Sequence, residues 1–172
     1  MRTFRPSRLV KSANNLFARV IRLGLPVGPW ALLTVPGRKS GIPRTTPVAF
    51  VRAGTGYRVM SPYGHVDWVK NVRAAGRAQL ISRGRAFDVS AEELPANEAA
   101  KVLRGNLSHA PWLLRRIFKP YFDTPYDAPL EDWEREAANH PVFHFEPLSD
   151  TMEVPVGADS GRKAHQPGPG VR

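Results

Sequence analysis

The sequence predicts an α+β domain built on a small antiparallel β-barrel. Short runs with strand character follow one another, and two pairs of them are joined by tight glycine-containing turns, which is typical of β-hairpins. Stretches with helical periodicity interrupt these strands. A length of 172 residues and a hydrophobic content of 42% suit one domain with a substantial core.

A basic segment, residues 1–29, contains a stretch that predicts an amphipathic helix over residues 7–23. Its apolar side chains recur at three- and four-residue spacing: Leu9, Val10, Ala13, Leu16, Phe17, Val20 and Ile21. Basic side chains occupy the other face: Arg8, Lys11, Arg19 and Arg22. Such a helix either packs on the barrel or contacts an anionic membrane surface, and the sequence leaves both alternatives open.

Six strands are predicted within residues 30–150, the barrel domain. They are residues 31–35, 46–52, 57–61, 77–82, 86–91 and 141–147. The second and third strands form a hairpin, and so do the fourth and fifth, because only a few turn-forming residues separate each pair.

Four helical segments accompany the strands. They are residues 67–75, 95–107, 111–121 and 129–138. Asp67 is placed to cap the first of these helices, and Gly76 is placed to end it. Residues 157–172 consist of glycine, proline and charged residues without apolar anchors, which predicts a disordered tail.

The charge distribution is strongly asymmetric. The first acidic residue is Asp67, and the residues before it carry eleven basic side chains, whereas basic and acidic side chains nearly balance in the remainder. The net charge of +10 therefore belongs to the N-terminal part and indicates an anionic partner there.

Several functional classes are disfavoured by composition. The chain has no cysteine, which excludes disulfides, thiol catalysis and cysteine-ligated metals and fits a cytoplasmic location. No apolar stretch is long enough to span a membrane, and a secretory signal is not expected. We expect no metal site: His140 and His144 are four residues apart on a predicted strand, about 13 Å along it. The acids at 131–136 predict a solvated helix face.

The densest cluster of positive charge lies in the loop of residues 36–45, between the first two strands. Arg38, Lys39 and Arg44 supply cations, and Ser40 supplies a hydroxyl. Glycines at positions 37 and 41 let the backbone turn sharply and expose its N–H groups. Fixed donors with positive charge suit a phosphate or carboxylate, although a solvated hairpin loop is the simpler alternative.

Residues 33–48, LTVPGRKSGIPRTTPV, closely resemble a signature of the deazaflavin (F-420)-dependent nitroreductase family. A second signature follows in the same order, SPYG at residues 61–64 and DWVKNVRAAG at residues 67–76. The resemblance covers roughly residues 30–147. It implies a split β-barrel, as in flavin- and deazaflavin-binding oxidoreductases, and binding of coenzyme F-420, an anionic 8-hydroxy-5-deazaflavin with a phosphate and an oligoglutamate tail.

The same resemblance implies roles for individual residues. The phosphate and tail would be held by Arg38, Lys39, Ser40 and Arg44. Pro47 and Val48 would line the deazaflavin through their backbone, and Ser61, Tyr63 and Gly64 would lie beside its ring system. Trp68 and Asn71, three residues apart on one helix face, can both point into the same pocket. Ordinary core packing is the alternative for Trp68, and a backbone hydrogen bond is the alternative for Asn71.

The implied activity is transfer of a hydride from reduced F-420 to a quinone, a nitro compound or an activated alkene. A side chain that protonates the acceptor is expected among Tyr63, His65, Tyr121 and Tyr126, and the sequence does not choose between them. His65, Tyr121 and Tyr126 are also the candidate substrate residues. The aromatic segment at residues 120–126 either closes over the pocket or is a hydrophobic lid packed on the barrel.

Other functions remain alternatives. Related barrels use FMN, and a barrel of this kind can bind a deazaflavin without catalysis. The sequence pI of 10.7 is compatible with nucleic-acid binding, although no nucleic-acid-binding motif is present, so no specific nucleic acid is expected. A small-molecule electron acceptor is the expected partner, with peripheral membrane contact through residues 7–23 as a further alternative.

Overall fold

Six antiparallel strands form a closed barrel in the computed structural model, which describes residues 21, 23, 28–148 and 154–155. The barrel strands are β1 (Trp30–Pro36), β2 (Pro43–Ala53), β3 (Gly56–Met60), β4 (Arg77–Ser82), β5 (Arg85–Glu93) and β6 (Val142–Pro147). The helices are α1 (Asp67–Ala75), α2 (Ala96–Ser108), α3 (Trp112–Phe118) and α4 (Leu130–Ala137), with a 3-10 turn at Lys119–Tyr121. The predicted α+β barrel is therefore confirmed.

The barrel closes because β1 pairs on both of its edges. It pairs with β2 on one side and with β4 on the other, and the ring continues through β3, β6 and β5 back to β4. A short strand, β7 (Val154–Pro155), adds to the start of β5. Closure leaves the six strands without a long unpaired edge, which removes a common site of aggregation.

The barrel interior is filled with apolar side chains. Leu33 and Val35 of β1 meet Val59 of β3 and Phe143 and Phe145 of β6, and all five are buried. The two residues of β1 are two positions apart, and so are the two of β6, as expected because alternate side chains of a strand face the same side. A ligand as large as a flavin therefore has no room inside the barrel and has to bind at its surface.

A second apolar cluster joins the C-terminal helices to the barrel. Trp133 of α4 is fully buried and packs with Leu103 and Leu107 of α2 and with Val142 at the start of β6. This cluster fixes α2, α4 and the aromatic segment at one end of the barrel.

The structure corrects several predicted boundaries. Strand β2 begins at Pro43, so only residues 37–42 form the loop, because Thr45 and Thr34 pair across the strands and extend the ladder. Val66, not Asp67, is the N-cap residue of α1, and Asp67 instead lies in the first turn. Gly76 ends that helix in a left-handed conformation, as predicted.

Ile21 belongs to the predicted N-terminal helix and is described by the structure. It is helical and buried against Leu32 and Ile81 on the outside of the barrel. At this position the apolar face packs on protein. Residues 7–20 and 22 and the tail at 157–172 lie outside the described residues, and Leu23, predicted as helix, is an exposed turn residue. No described helix has the length and apolar character needed to cross a membrane.

Gly56 and Gly105 offer a matched pair of substitutions. A Cβ at Gly56 would overlap the backbone oxygen of Phe145 on the neighbouring strand, whereas a Cβ at Gly105 in α2 would meet nothing within 4 Å. We expect Gly56→Ala to destabilise the protein by about 1–3 kcal/mol and Gly105→Ala to stabilise it by about 0.4–1 kcal/mol. Urea unfolding of both variants tests this, and equal effects would contradict the packing at β3.

Candidate functional site

The loop between β1 and β2 is held in one compact conformation by its own backbone. Gly37 N–H donates to the Ile42 oxygen at 2.9 Å, and Gly41 N–H donates to the Gly37 oxygen at 2.7 Å. Gly41 has a φ of 68°, which an L side chain adopts only with strain. We call residues 37–42 together with Arg44 the basic loop. Because its backbone is fixed, the cations it carries project from a defined scaffold.

Asn71 of α1 anchors the basic loop. Its Oδ1 accepts a hydrogen bond from the backbone N–H of Arg38 at 3.2 Å and one from the guanidinium of Arg38 at 3.0 Å. The same guanidinium donates to Asp67 at 3.1 Å. Asn71 is buried, so these bonds replace the water that its amide has lost. Two sequence-predicted residues, Arg38 and Asn71, thus lie together, and Asp67 is a third member that sequence reasoning assigned only to a helix cap.

Lys39 and Arg44 differ from Arg38 in their ion pairing. Both are exposed, and neither forms an ion pair with an acidic side chain among the described residues. Ser40 lies between them in the sequence, and its hydroxyl accepts a hydrogen bond from the backbone N–H of Ile42 at 3.4 Å. Two cations without acidic partners on a braced loop fit an anionic group such as a phosphate.

A second tight turn, residues 61–64, follows β3. The buried hydroxyl of Ser61 donates to the backbone oxygen of Gly64 at 2.6 Å. Gly64 has a φ of 75°, so the turn requires glycine at this position. The Ser61 side chain therefore stabilises the turn that contains Tyr63.

Tyr63 lies against the aromatic segment. Its ring meets that of Tyr121 edge-on at 4.8 Å and that of Phe118 at 6.3 Å. Burial and the neighbouring Tyr121 raise the pKa of Tyr63 above its ordinary value near 10. The phenol therefore keeps its proton throughout the neutral range. The structure therefore brings together Tyr63, a predicted cofactor residue, and Tyr121, a predicted substrate residue.

Two other predicted cofactor residues lie on the barrel itself, and a third, Trp68, packs against the barrel core from α1. Val48 of β2 is buried in the barrel core, and Pro47 beside it is partly exposed. Trp68 of α1 is partly buried and packs on Phe143 with ring centroids 5.7 Å apart. The Trp68 side chain thus has a core contact whether or not it also meets a ligand.

His65 is held by two partners. Its Nδ1 lies 3.0 Å from a guanidinium nitrogen of Arg73, which can only donate, and its Nε2 lies 3.0 Å from the backbone oxygen of Ala138, which can only accept. In this arrangement Nδ1 is the acceptor and Nε2–H is the donor. Arg73 is fixed in turn by a two-bond ion pair with Glu93 at 2.6 Å, which raises the pKa of Arg73.

Tyr126 also has defined partners. Its hydroxyl donates to the backbone oxygen of Arg115 at 2.6 Å, and the Arg115 guanidinium lies 4.8 Å from the centre of its ring. The backbone oxygen of Tyr126 accepts from Ser108 at 2.8 Å. These contacts tie α3 to α2 and explain the position of Tyr126 without a ligand.

Sequence reasoning missed a buried polar pair, Glu136 and His140. The expectation of a solvated face is wrong for Glu136, which is only 6% exposed. Its carboxylate accepts hydrogen bonds from the backbone N–H groups of Asp123 and Thr124 and from the Thr124 hydroxyl. It also lies 3.0 Å from Nε2 of His140.

His140 extends this network to the turn at residues 61–64. Its Nδ1 lies 3.2 Å from the backbone oxygen of Ser61, and its ring stacks on Phe122 at 4.1 Å. The strand begins only at Val142, so His140 and His144 do not share a strand face as predicted. The spacing of Glu136 and His140, four residues apart near a helix end, was the available signal.

Two cavities adjoin the aromatic segment. One of about 280 Å³ is lined by Tyr63, Tyr121 and the Glu136–His140 pair. The other, about 700 Å³, lies between α3 and the segment that contains Tyr126. The basic loop lines neither of them. Among the described residues, no group of three or more acidic or histidine side chains is placed to hold a metal ion.

Solved structures with related folds include an F-420-H2 dependent reductase that is 21% identical, with 69% of this chain and 94% of that chain covered and a TM-score of 0.47. A structure described as a domain-swapped dimer is 19% identical, with 80% and 96% covered and a TM-score of 0.50. An FAD-binding protein from Mesorhizobium loti is 18% identical, with 77% and 88% covered and a TM-score of 0.45. The second of these supports the shared barrel fold.

The family rests on a sequence model rather than on those folds. The model of the F-420H(2)-dependent quinone reductase family matches residues 8–111, which include the basic loop, the turn at residues 61–64 and α1. The site residues available for an anionic deazaflavin lie within this range. The chain belongs to the F-420H(2)-dependent quinone reductase family and is an F-420-dependent oxidoreductase.

Proposed function

We propose that the protein transfers a hydride from reduced F-420 to a quinone. The observation that carries the proposal is the anchored basic loop, whose Lys39 and Arg44 are exposed without acidic partners among the described residues. The family model supports the quinone as acceptor. Nitro compounds and activated alkenes are further acceptors of the same two-electron type.

The basic loop is assigned to the phosphate and the oligoglutamate tail of the cofactor. Lys39 and Arg44 would form charge-assisted hydrogen bonds, with Ser40 as a further donor. Arg38 makes a smaller contribution because Asp67 and Asn71 already occupy its guanidinium. FMN also carries a phosphate but lacks the anionic tail, so a loop with several cations favours the deazaflavin.

Bound F-420H2 supplies a hydride from C5 of its deazaflavin ring. The backbone of Pro47 and Val48, the Trp68 side chain and the turn at residues 61–64 are assigned to the ring system, which they would hold flat against the barrel and shield from water. Fixing the ring next to the acceptor removes an orientational cost from the transfer. The chain itself contributes binding, orientation and a proton.

Tyr63 is our candidate for the residue that protonates the quinone oxygen. A quinone that accepts a hydride at one oxygen needs one proton at the other to become a quinol. The raised pKa of Tyr63 keeps its phenol protonated at neutral pH. His65 and Tyr126 are weaker candidates because neither of them lines the 280 Å³ cavity that Tyr63 and Tyr121 line.

Tyr121 is assigned to the acceptor rather than to the proton. Its ring stands edge-on to Tyr63 beside the 280 Å³ cavity. A flat acceptor that slides over Tyr63 would meet the Tyr121 ring on its next side, and aromatic rings favour such contacts. Tyr121 lies outside the two signature stretches, so this assignment rests on the ring contact and the cavity alone.

Two other functions are tested by the same experiments. A carrier would bind F-420 but not turn over any acceptor. A nucleic-acid-binding protein would use its cations along a helix or groove, whereas Lys39 lies on one short loop and Arg44 at the start of strand β2.

The first prediction concerns the cofactor. Titration of the protein with F-420 and with FMN, followed by tryptophan fluorescence, should show tighter binding of F-420. Lys39→Ala and Arg44→Ala should each weaken F-420 binding by about 1.5–3 kcal/mol, because each removes a charge-assisted hydrogen bond. Lys101→Ala, an exposed cation on α2, is the matched control and should leave affinity unchanged. Wild-type affinity in both loop variants would contradict the assignment.

The second prediction separates anchoring from charge. Asn71→Ala removes the amide that holds Arg38 and should weaken F-420 binding, although no cation is lost. Asp67→Asn removes the carboxylate that competes for Arg38 and should tighten binding modestly, by about 0.2–1 kcal/mol, as expected for an exposed ion pair. Isothermal titration of both variants measures this. Changes in the same direction would show that Asp67 and Asn71 do not act on the loop as proposed.

The third prediction concerns the proton. Tyr63→Phe should lower kcat for quinone reduction by about 100-fold, in the usual range for loss of a general acid, with F-420 affinity unchanged. Because the pKa of Tyr63 is raised, wild-type activity should decline only above pH 10, and this decline should be absent from Tyr63→Phe. Tyr126→Phe is the control. A kcat for Tyr63→Phe equal to wild type would assign the proton to water.

A further inference from the structure

Helix α3 has an unusual concentration of exposed apolar side chains. Trp112 is 73% exposed, Leu113 is 52% exposed and Ile117 is 48% exposed. Leu114 is exposed as well, so half of the eight large apolar side chains exposed among the described residues lie in this seven-residue helix. A patch of this kind usually marks a surface that binds another apolar phase.

Three of the four exposed apolar residues share one side of the helix, where Arg116 also lies, and the fourth, Leu114, falls next to Phe118. At about 100° per residue, positions 112, 113 and 117 fall within an arc of about 140°. Phe118 and Arg115 fall on the opposite side and are partly buried, with Phe118 packed against the core cluster of α2 and α4. The helix thus rests on the protein through one side and presents Trp112, Leu113 and Ile117 to its surroundings.

The chain segment that contains the helix carries only cations, and the acids near it in space are Asp123 and Asp127, which line the cavity on one side of α3. Residues 99–122 contain no acidic side chain, and their cations are Lys101, Arg104, Arg115, Arg116 and Lys119. Arg116 and Lys119 are exposed next to the apolar patch, and the nearest acid that follows is Asp123. Apolar side chains bordered by cations, with Trp at the edge, are the combination that binds an anionic lipid surface.

We propose that α3 is a docking element that binds an anionic lipid bilayer. Trp112, Leu113 and Ile117 enter the headgroup region, and Arg116 and Lys119 contact lipid phosphates. A second copy of the chain fits this surface less well, because two such helices facing each other would bring Arg116 and Lys119 close to like charges.

Docking would place the acceptor side of the proposed site near the bilayer. The helix continues into the turn at Lys119–Tyr121, and both Phe118 and Tyr121 contact Tyr63. A quinone dissolved in lipid would then meet the protein beside Tyr63. This consequence rests on the proposed function, whereas the docking itself does not, since α3 lies beyond the residues that the family model matches.

Vesicle binding by the full chain tests the proposal. The protein should sediment with vesicles of phosphatidylcholine and phosphatidylglycerol but not with phosphatidylcholine alone, and added salt should weaken binding. Tryptophan emission should shift to the blue on binding. Trp112→Phe should still bind and lose most of that shift. Leu113→Gln/Ile117→Gln should bind about tenfold more weakly or worse, since two apolar contacts with lipid are lost.

Matched controls separate this surface from general charge and hydrophobicity. Val51→Gln changes an exposed apolar residue on β2 and should bind vesicles as wild type does. Arg116→Gln/Lys119→Gln should weaken binding more than Lys101→Gln/Arg104→Gln, which removes the same charge from α2. Unfolding midpoints and F-420 affinity in the absence of vesicles should be unchanged in the α3 variants.

Three outcomes would overturn the proposal. Wild-type vesicle binding by Leu113→Gln/Ile117→Gln, or a full emission shift in Trp112→Phe, would assign any membrane contact to residues 7–23 instead. Concentration-dependent dimers that bury Trp112 without lipid would assign the patch to a second copy.

Vesicle binding by a protein that does not reduce quinones would leave the docking intact and remove only the proposed function.

Discussion

The filled interior of the barrel is the constraint on which the rest of the structure depends. Leu33, Val35, Val59, Phe143 and Phe145 occupy the space that a ligand would need. Because protein cores are packed as densely as organic crystals, opening such a space would cost several kcal/mol per displaced side chain. The barrel is therefore a rigid support, and everything that can bind or react lies on the loops and helices around it.

Two polar hubs determine where those loops lie. Asn71 receives two hydrogen bonds from Arg38 and so joins the basic loop to α1. Glu136 receives bonds from Asp123 and Thr124, and His140 links it to the oxygen of Ser61. Buried polar groups are costly unless every partner is present, so each hub favours one arrangement of its loop over the alternatives. The proposed cofactor side and acceptor side are thus fixed independently.

The parts of the fold that the sequence predicts are those governed by local rules. Turn-forming residues delimited the two predicted hairpins, and Gly76 ended α1 as its conformational freedom allows. The start of β2 was predicted three residues late because the Thr34–Thr45 pairing that extends the ladder is a contact between strands. Boundaries set by a partner strand are invisible in a single stretch of sequence.

Some features of the candidate site likewise follow from local sequence rules, and others do not. A one-sided accumulation of cations is a property of composition, so the basic loop was evident. The burial of Glu136 was not, because its helix reads as polar and only the segment at residues 122–124, which packs over it, removes it from water. Likewise, Asp67 was assigned to a helix cap, since nothing local indicates that Arg38, 29 positions earlier, would reach its carboxylate.

The pairing of Arg38 gives the three loop cations unequal status. Arg38 is held by Asp67 and Asn71 and braces the loop, whereas Lys39 and Arg44 have no ion-pair partner among the described residues. An excess of one charge disfavours the folded state, and an acidic partner would offset it. An acid there would also compete with an anionic ligand, as Asp67 competes for Arg38. Under the proposed function a bound anion supplies this negative charge, so that binding and loop stability would be coupled.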